Sequence, residues 1–276
     1  MLKDILQKIY AGCLQIALPN LCFGCREPID FPTIKNTDYN SEKGVSTSSS
    51  VTVADPLGKR TDPVFCQNCI QQLTSDTNLY CNRCLSNLPI GVISKRTYSD
   101  RCGQCRAVNY SFDGAFRFGI YDGMLREAIL RMKSLSGESF AVQLGKLWIE
   151  SKRDQFISLN PTVVIPTPLH WTRWWKRGYN QSETLAEQIA KEMKIPLQPN
   201  WVKRIRATRK QTTVSAKERR QNVKGSFAMK SDLSLSGQSI IIVDDVFTTG
   251  TTVNEIAKLL KDHKADKIWV AVLAHR

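Results

Sequence analysis

The sequence predicts an α/β fold, a parallel sheet with helices on both faces, preceded by a small module of the four-cysteine type. From residue 111 onward, apolar runs typical of strands alternate with runs of helical spacing. An acidic pair and a threonine-rich loop directly follow one of these strands. Before residue 106, eight of the nine cysteines fall in four Cys-x-x-Cys pairs. We therefore expect two domains, 1–110 and 111–276.

The N-terminal region is predicted to contain one helix and one long polar insertion. Residues 3–18 carry apolar side chains at helical spacing, and Pro19 follows them, which predicts an amphipathic helix. Residues 33–63 are polar, and we expect them to form a disordered insertion. The sequence has no run of 18 apolar residues and its start does not resemble a secretory signal. We expect a cytoplasmic, reducing location without a membrane span.

The four cysteine pairs predict two structural metal sites. Each Cys-x-x-Cys turn places two thiolates on one side of a loop, and two turns give the tetrahedral geometry that zinc prefers. Iron held by four thiolates stays an alternative. An imperfect repeat relates 22–29 to 81–90, and the simplest pairing joins 22/25 to 66/69 and 81/84 to 102/105, with an interleaved pairing left open. The candidate ligands are Cys22, Cys25, Cys66, Cys69, Cys81, Cys84, Cys102 and Cys105.

The C-terminal domain is predicted as an alternation of strands and helices. Strands are expected around 112–121, 162–165, 239–243 and 267–273. Helices are expected over 123–134, 138–152, 181–194 and 251–262. The strand 239–243 is almost wholly apolar, as strands inside a parallel sheet are, so we expect it at the centre of the sheet.

The segment after strand 239–243 has the chemistry of a phosphate-binding loop. A parallel strand delivers its loop to the carboxyl edge of the sheet, where ligands bind. Backbone N–H groups and threonine hydroxyls can donate to a phosphate there, and Gly250 permits a close approach of the backbone. Asp244 and Asp245 would repel a phosphate and suit a hydroxylated group such as a ribose. Neither a Walker loop nor a dinucleotide fingerprint occurs in the sequence.

The run 243–252 resembles the phosphoribosyl-pyrophosphate (PRPP) signature of type I phosphoribosyltransferases. The resemblance implies the type I phosphoribosyltransferase fold, with Asp244 and Asp245 on the ribose 2′ and 3′ hydroxyls. It also implies that the 5′-phosphate is surrounded by Thr248, Thr249, Gly250, Thr251 and Thr252. Mg²⁺ would arrive with PRPP, held mainly by the ligand's own oxygens. Pyrophosphate contacts are implied for Thr167, Pro168, Leu169, His170 and Arg177.

A second resemblance, to the ComF/GntX family of competence-associated proteins, covers nearly the whole chain. It rests on the four cysteine pairs and on segments 121–126, 132–133, 165–170, 176–183 and 218–223. Residues 33–63 and the tryptophan-rich 171–175 depart from the family pattern. The resemblance implies a protein of DNA uptake and natural transformation, with competence and DNA-processing proteins as partners, or a phosphoribosyltransferase of unknown acceptor. We name no catalytic residue, because the sequence offers no evident general base.

The stretch from His170 to Lys224 is strongly basic and rich in tryptophan. It holds 14 Lys and Arg against 4 Glu, a net of +10 within a chain of net charge +14. Such a mixture suits single-stranded DNA, because cations contact the backbone and aromatic rings stack on bases. Alternatively the tryptophans pack in the core and the cations face PRPP or solvent. The candidate DNA-binding residues are Arg173, Trp174, Trp175, Lys176, Arg204, Arg206, Arg209 and Lys210. The alternative function is therefore a DNA-binding adaptor with a vestigial nucleotide site.

Overall fold

The computed structural model describes residues 21–29, 65–76, 78–88, 102–206, 223–230 and 233–276. The chain divides into two compact units, Met1–Ile70 and Gln71–Arg276. The predicted helix 3–18, the predicted insertion 33–63, Arg209 and Lys210 lie outside the described residues. The predicted domain boundary after residue 110 stays a prediction.

Strands and helices alternate along the chain, as the sequence predicted. The strands are β1 (Gly114–Ile120), β2 (Val163–Pro166), β3 (Val202–Arg204), β4 (Phe227–Met229), β5 (Ser239–Phe247) and β6 (Lys267–His275). The helices are α1 (Gln67–Thr74), α2 (Gly123–Met132), α3 (Glu138–Ser158), α4 (Trp171–Arg177), α5 (Gln181–Met193) and α6 (Thr251–Asp262). Within these described ranges, no helix combines the length and apolarity needed to cross a bilayer.

The second unit is built on a four-stranded parallel sheet of order β1-β6-β5-β2. The central pair, β5 and β6, is in register from Ser239 opposite Lys267 to Phe247 opposite His275. Strands β3 and β4 form a separate antiparallel pair. Because all four strands of the main sheet run the same way, the loops after β2 and β5 emerge at one edge.

Apolar side chains cover both faces of the main sheet. On one face, Ile240 and Ile242 of β5 share a buried cluster with Ile256 and Leu260 of α6. On the other face, α5 packs against β2 and β5, and α3 packs against α5. Helices therefore lie on both faces, and the predicted layer arrangement is confirmed.

Strand β5 is longer than the sequence predicted and contains the acidic pair. The expected strand ended at Val243, whereas β5 continues to Phe247. The extension follows from the ladder with β6, in which Asp244 is opposite Val272 and Phe247 is opposite His275. Hydrogen bonding to a neighbouring strand overrides the low strand propensity of aspartate. The backbone of both aspartates is therefore fixed by the sheet before the loop begins.

Candidate functional site

The Asp245 carboxylate lies near the end of β5 and is held by side chains from two other elements. Lys133, just after α2, places its Nζ 3.0 Å from Asp245 Oδ2. Gln181, the first residue of α5, donates from Nε2 to the same oxygen over 3.0 Å. Burial raises the pKa of the Asp245 carboxyl, but Lys133 and the Gln181 hydrogen bond outweigh burial and hold this pKa below its usual range. Asp245 is therefore a buried anion in contact with a cation.

Asp244, the neighbouring carboxyl, has the opposite electrostatic character. Its Oδ1 accepts hydrogen bonds from Ser182 Oγ over 3.2 Å and from the Asp245 backbone N–H over 2.9 Å. Burial, followed by the negative charge of Asp245, raises the pKa of Asp244 to about 7. Near neutral pH the pair therefore combines one fixed anion with one carboxyl that exchanges its proton, a combination that suits neutral hydroxyl groups.

The threonine loop joins β5 to α6 at the same edge of the sheet. Gly250 precedes α6 with φ +68°, and a Cβ at this position would overlap the Phe247 ring and lie 3.0 Å from Tyr110 Cε1. The hydroxyls of Thr249 and Thr251 are 2.8 Å apart. Since the first N–H groups of a helix have no partner within it, the start of α6 can donate to an anion.

The loop from β2 to α4 carries the predicted pyrophosphate contacts 167–170. The Thr167 N–H donates to Val243 O over 2.8 Å, which places this loop beside β5. Thr167 is buried, and among the described residues its hydroxyl has no hydrogen-bond partner. His170 is buried rather than in contact with solvent, and its Nδ1 accepts from the Thr172 N–H over 3.3 Å at the start of α4. The unpaired Thr167 hydroxyl is the one orphaned donor that this loop offers to a ligand.

Segment 177–182 positions several parts of the site at once. The Tyr179 hydroxyl donates to the Met132 carbonyl, directly before Lys133. Asn180 Nδ2 donates to Thr167 O over 3.2 Å, and its Oδ1 caps α5. One short segment thus ties together the loop after β2, the end of α2 and the residues that contact the carboxylates.

Three arginines bring positive charge close to the two aspartates. Burial lowers the pKa of Arg177, with Asp245 acting against this shift and Arg173 adding to it. Burial and then Arg173 lower the pKa of Arg204, with Asp244 acting against this shift. Arg177 also donates from Nη1 to Gln181 Oε1 over 2.7 Å. We call Arg173, Arg177 and Arg204 the arginine cluster, since Arg173 lowers the pKa of the other two, and such a concentration of cations suits a polyanion.

Three of the five aromatic residues in the basic stretch face solvent. Trp171, Trp174 and Trp175 of α4 are 66%, 50% and 77% exposed. Trp201 packs against the core, and Tyr179 is buried. The core-packing alternative therefore applies to Trp201 and Tyr179 and is wrong for the three tryptophans of α4.

Of the candidate DNA contacts, Lys176 and Arg206 are exposed, Arg173 and Arg204 are half-buried, and Arg209 and Lys210 lie outside the described residues.

The first cysteine group lies in the first unit. It consists of Cys22, Cys25, Cys66 and Cys69. Cys66 N donates to Cys22 Sγ over 3.2 Å, and the Sγ atoms of Cys25 and Cys66 are 3.7 Å apart. Cys25 is exposed. The two pairs therefore meet in the sequential arrangement.

The second cysteine group lies in the second unit and is wholly buried. It consists of Cys81, Cys84, Cys102 and Cys105. Its Sγ atoms are 3.4 Å apart between Cys84 and Cys102 and 3.8 Å apart between Cys81 and Cys105. The same turn occurs in both groups, since Leu21 bridges Pro28 and Tyr80 bridges Asn87. The repeat seen in the sequence is thus a repeat of structure.

Each of the two cysteine groups has a geometry that fits one tetrahedral metal ion. Within each group, all four Sγ atoms lie within 4.8 Å of one another. Thiolates about 2.3 Å from zinc in a tetrahedron are about 3.8 Å apart, close to the measured separations. All eight cysteines are free of disulfides. Each group can therefore hold a metal, and such a metal would be structural because four sulfurs leave no open position.

The sequence missed the partners of the carboxylates. Lys133, Gln181 and Ser182 contact Asp245 or Asp244, and no spacing rule connects residues so far apart in the chain. The available signal was the family resemblance, which included segment 176–183 and Lys133. Helix α4 was also missed. Its three tryptophans have the spacing of one helix face, but the helix is only seven residues long, too short for a periodic pattern to repeat.

Comparison with known proteins agrees with this geometry. The family model of the phosphoribosyl transferase domain matches residues 180–276, from the start of α5 to the end of β6. Competence protein F of Haemophilus influenzae is 36% identical over 215 residues, which cover 76% of this chain and 90% of that protein. DNA utilization protein YhgH of Escherichia coli strain K12 is 27% identical over 259 residues, 92% of this chain and 96% of that protein. Competence protein ComFC of Bacillus subtilis is 29% identical over 149 residues, 54% of this chain and 58% of that protein.

The similarity extends over the cysteine groups as well as the sheet. The match to YhgH covers nearly the whole chain, and the phosphoribosyl transferase match begins within the segment that organises the carboxylates. The predicted phosphoribosyltransferase fold, with four-cysteine groups on its N-terminal side, is therefore confirmed. A parallel sheet of this fold, two four-cysteine groups and a 36% identical relative matched over most of its length together place the chain in the ComF family of competence proteins.

Proposed function

We propose that this chain binds PRPP at the carboxyl edge of its parallel sheet and acts in DNA uptake. The observation that carries the proposal is the meeting of three chemistries at that edge. Asp244 and Asp245 offer acceptors for a ribose diol, the start of α6 offers donors for a 5′-phosphate, and the arginine cluster offers charge for a pyrophosphate.

Different residues of the site fit the ribose, the 5′-phosphate and the pyrophosphate of PRPP. Ribose hydroxyls would lie on the carboxylates, with the 5′-phosphate on residues 248–252. The pyrophosphate would reach Arg177 and the orphaned hydroxyl of Thr167, with Pro168, Leu169 and His170 shaping that loop. Mg²⁺, when bound with PRPP, supplies neutralisation of pyrophosphate charge, and the ligand's own oxygens hold it.

A transfer reaction at this site would displace pyrophosphate. The bond between ribose C1 and the pyrophosphate oxygen breaks, the acceptor bonds to C1, and pyrophosphate leaves with the electron pair. The protein's part is to align the ligand and to stabilise the charge on the leaving group through Arg177 and its neighbours. The acceptor is not named, because no residue at the site identifies it.

Isothermal titration with PRPP and Mg²⁺ tests the proposal. The wild-type chain should bind PRPP, and Asp245→Asn should lose most of this affinity, because the variant removes the anion that accepts from the diol. Asp262→Asn, an exposed aspartate at the end of α6, is the matched control and should bind normally. Equal affinity in wild type and Asp245→Asn would refute the assigned role of Asp245.

We propose that both cysteine groups bind zinc. We also propose that the chain is located in the cytoplasm. Four thiolates at the measured spacing favour zinc, and eight free cysteines accord with a reducing compartment. Metal analysis of the purified chain should give two zinc ions per chain. A value near one, or iron in place of zinc, would contradict this assignment.

Helix α4 supports a second function, binding of single-stranded DNA. The supporting observation is the exposure of Trp171, Trp174 and Trp175 beside Lys176 and Arg173. The names of the relatives, competence and DNA utilization proteins, connect this surface with DNA uptake and with DNA-processing partners. Trp175→Ala should weaken binding of a short oligonucleotide by about 1–3 kcal/mol, because a base would lose its stacking partner.

The control for the DNA test is another exposed apolar residue. Leu135→Ala, at 77% exposure like Trp175, should leave oligonucleotide binding unchanged. Affinity should fall steeply with salt if cations contact the DNA backbone. Absence of binding at low salt would exclude DNA binding by this surface.

A further inference from the structure

The second cysteine group is anchored to the backbone that leads into β1. The Ala115 N–H donates to Asn82 O, between Cys81 and Cys84, over 2.7 Å. The Arg83 guanidinium donates to three backbone carbonyls, those of Tyr110, Phe112 and Asp113, over 3.0, 2.5 and 2.9 Å. The turn that carries Cys81 and Cys84 is therefore hydrogen-bonded to β1 and to the residues just before it.

A fully buried arginine adds a second anchor. Arg117 of β1 donates from Nη1 to Leu85 O and from Nη2 to Asn87 Oδ1, both over 2.6 Å. Leu85 itself is fully buried in the core cluster beneath α6. Displacement of this turn would leave a buried guanidinium without these acceptors, which is costly. Disorder in the cysteine turn would therefore also disturb the packing of β1, and the reverse.

Tyr110 connects the second cysteine group to the threonine loop. Its ring packs against the four cysteines and also stacks on Phe112, with ring centroids 4.7 Å apart. Its hydroxyl donates to Thr249 O over 3.3 Å. Its Cε1 is one of the atoms that leave room only for glycine at position 250. A shift of the cysteine group would therefore move a ring that shapes the loop.

A shared cavity shows how close the two features are. The cavity of about 440 Å³ is lined by Cys84, Ser86 and Cys105 and also by Thr248, Thr249 and Thr251. The phosphate loop and the metal group are neighbours within the same unit.

We infer that the metal in the second cysteine group and the ligand on the threonine loop are coupled, with Tyr110 as the positioning residue between them. The inference rests on the proposed PRPP function, and it adds a regulatory role for a metal that would otherwise be only structural. Metal loading orders the two cysteine turns, 81–84 and 102–105. Arg83 and Tyr110 transmit that order, and the threonine loop is then preformed for a phosphate. Coupling of two sites is reciprocal, so PRPP must in turn retain the metal.

The test measures release of zinc from the full-length chain to a chromogenic chelator, with Mg²⁺ held constant. Saturating PRPP should raise the zinc affinity of the second group by about 5–150-fold, the range typical of coupled sites. We expect this change to appear as slower release from the second group and unchanged release from the first. The variant Cys25→Ser, which disrupts the first group, assigns the protected zinc to the second. Pyrophosphate alone is the control for chelation by the ligand.

Two variants separate coupling from simple stabilisation. Tyr110→Phe keeps the packed ring but loses the hydrogen bond to Thr249, so it should reduce the ratio of release rates without and with PRPP. Arg117→Lys should speed release in both conditions and leave that ratio unchanged, because it loosens the turn without touching Tyr110. PRPP binding without protection of zinc, or an unchanged ratio in Tyr110→Phe, would overturn the coupling alone. Failure of the wild-type chain to bind PRPP by calorimetry would overturn the proposed function itself.

Discussion

The two ends of the candidate PRPP site are held by different physical means. At the carboxylate end, Asp245 is balanced by Lys133 and Gln181, so charge and hydrogen bonds define the site. At the threonine end, Gly250 fits against two aromatic rings, so volume defines the site. Charged contacts can be exchanged for those of a ligand, whereas packed rings cannot move without loss of contact. The first end should therefore respond to charge and pH, and the second to a single added methyl group.

Gly250→Ala is expected to have the largest effect. The added Cβ would overlap the buried Phe247 ring, and alanine with φ near +68° is strained by about 1–2 kcal/mol. The loop must shift, and because its N–H groups have to converge on one phosphate, we expect PRPP affinity to fall by about 100-fold or more. Calorimetry with PRPP and Mg²⁺ measures the loss.

Gly237→Ala is the matched control for backbone strain. Gly237 has φ +77°, and nothing lies within 4 Å of an added Cβ. This variant should lose a similar amount of stability in thermal unfolding and keep its PRPP affinity. If both variants bind PRPP equally well, close packing at the threonine end is not what defines that end of the site.

Lys133→Met should have the next largest effect, and the size of the loss in affinity should depend on the ligand. When a ribose diol binds to Asp245, Lys133 must share that carboxylate with it, and we expect the ammonium group to turn toward the pyrophosphate of the same ligand. Loss of a charge-assisted hydrogen bond costs about 1.5–3 kcal/mol, so PRPP affinity should fall by about 10–100-fold. Ribose 5-phosphate, which lacks the pyrophosphate, should lose less affinity than PRPP, because for this ligand Lys133 only helps to keep Asp245 ionised.

The control for the lysine variant is Lys191→Met. Lys191 forms an ion pair with Glu187 over 2.9 Å on the exposed side of α5, so this variant removes a similar pair away from the site. It should change neither affinity. Equal weakening of PRPP and ribose 5-phosphate by Lys133→Met would show that Lys133 supports Asp245 only and does not reach the pyrophosphate.

The sequence predicted the volume-defined end of the site better than the charge-defined end. The run 248–252 and Gly250 are contiguous, so local spacing and a strand-to-helix transition were enough to locate the loop. The extent of β5 was not predictable, because only pairing with β6 carries strand geometry through two aspartates. Contiguous features are encoded locally, whereas strand ends depend on the neighbouring strand.

The charge-defined end depends on residues far apart in the chain. Lys133, Gln181 and Asp245 meet only when α2, α5 and β5 are packed together, so no periodicity points to their contact. The exposure of the α4 tryptophans was equally hidden, since aromatic residues are apolar by composition whether they face the core or solvent. Sequence reasoning located the elements, and tertiary packing decided which side chains meet.

A smaller effect is expected from pH, again at the charge-defined end. The pKa of Asp244 is raised to about 7, so its deprotonated fraction grows between about pH 6 and 8. A carboxylate accepts hydrogen bonds from a diol better than a carboxyl does, so PRPP affinity should rise with pH by at most about tenfold per unit. Titration at several pH values measures this slope, and Asp244→Asn isolates the titration of the ligand's own phosphates.

The raised pKa of Asp244 also determines how the free energy of unfolding changes with pH. The folded chain binds a proton at Asp244 more tightly than the unfolded chain does. The contribution of this group to the free energy of unfolding is therefore fully present below the pKa of the unfolded carboxyl and is lost as pH rises through about 7. Denaturant unfolding of Asp244→Asn and wild type should thus diverge more at pH 8 than at pH 5. Parallel pH profiles of the two chains would show that the Asp244 carboxyl does not make folding dependent on pH.

The smallest effect is expected at Thr167, in the loop after β2 to which we assign the pyrophosphate. Its buried hydroxyl has no hydrogen-bond partner among the described residues, so Thr167→Val should not lower the free energy of unfolding and should raise it if burial of that hydroxyl is costly. Thr184→Val is the matched control, because the Thr184 hydroxyl donates to Asn180 O and its loss should be destabilising. If the Thr167 hydroxyl serves the pyrophosphate, Thr167→Val should weaken PRPP by a few-fold, since a neutral hydrogen bond contributes about 0.5–1.5 kcal/mol, and should leave ribose 5-phosphate unchanged. If a stable Thr167→Val variant binds both ligands like wild type, the loop after β2 does not contact the pyrophosphate. The arginine cluster would then be its remaining binding site.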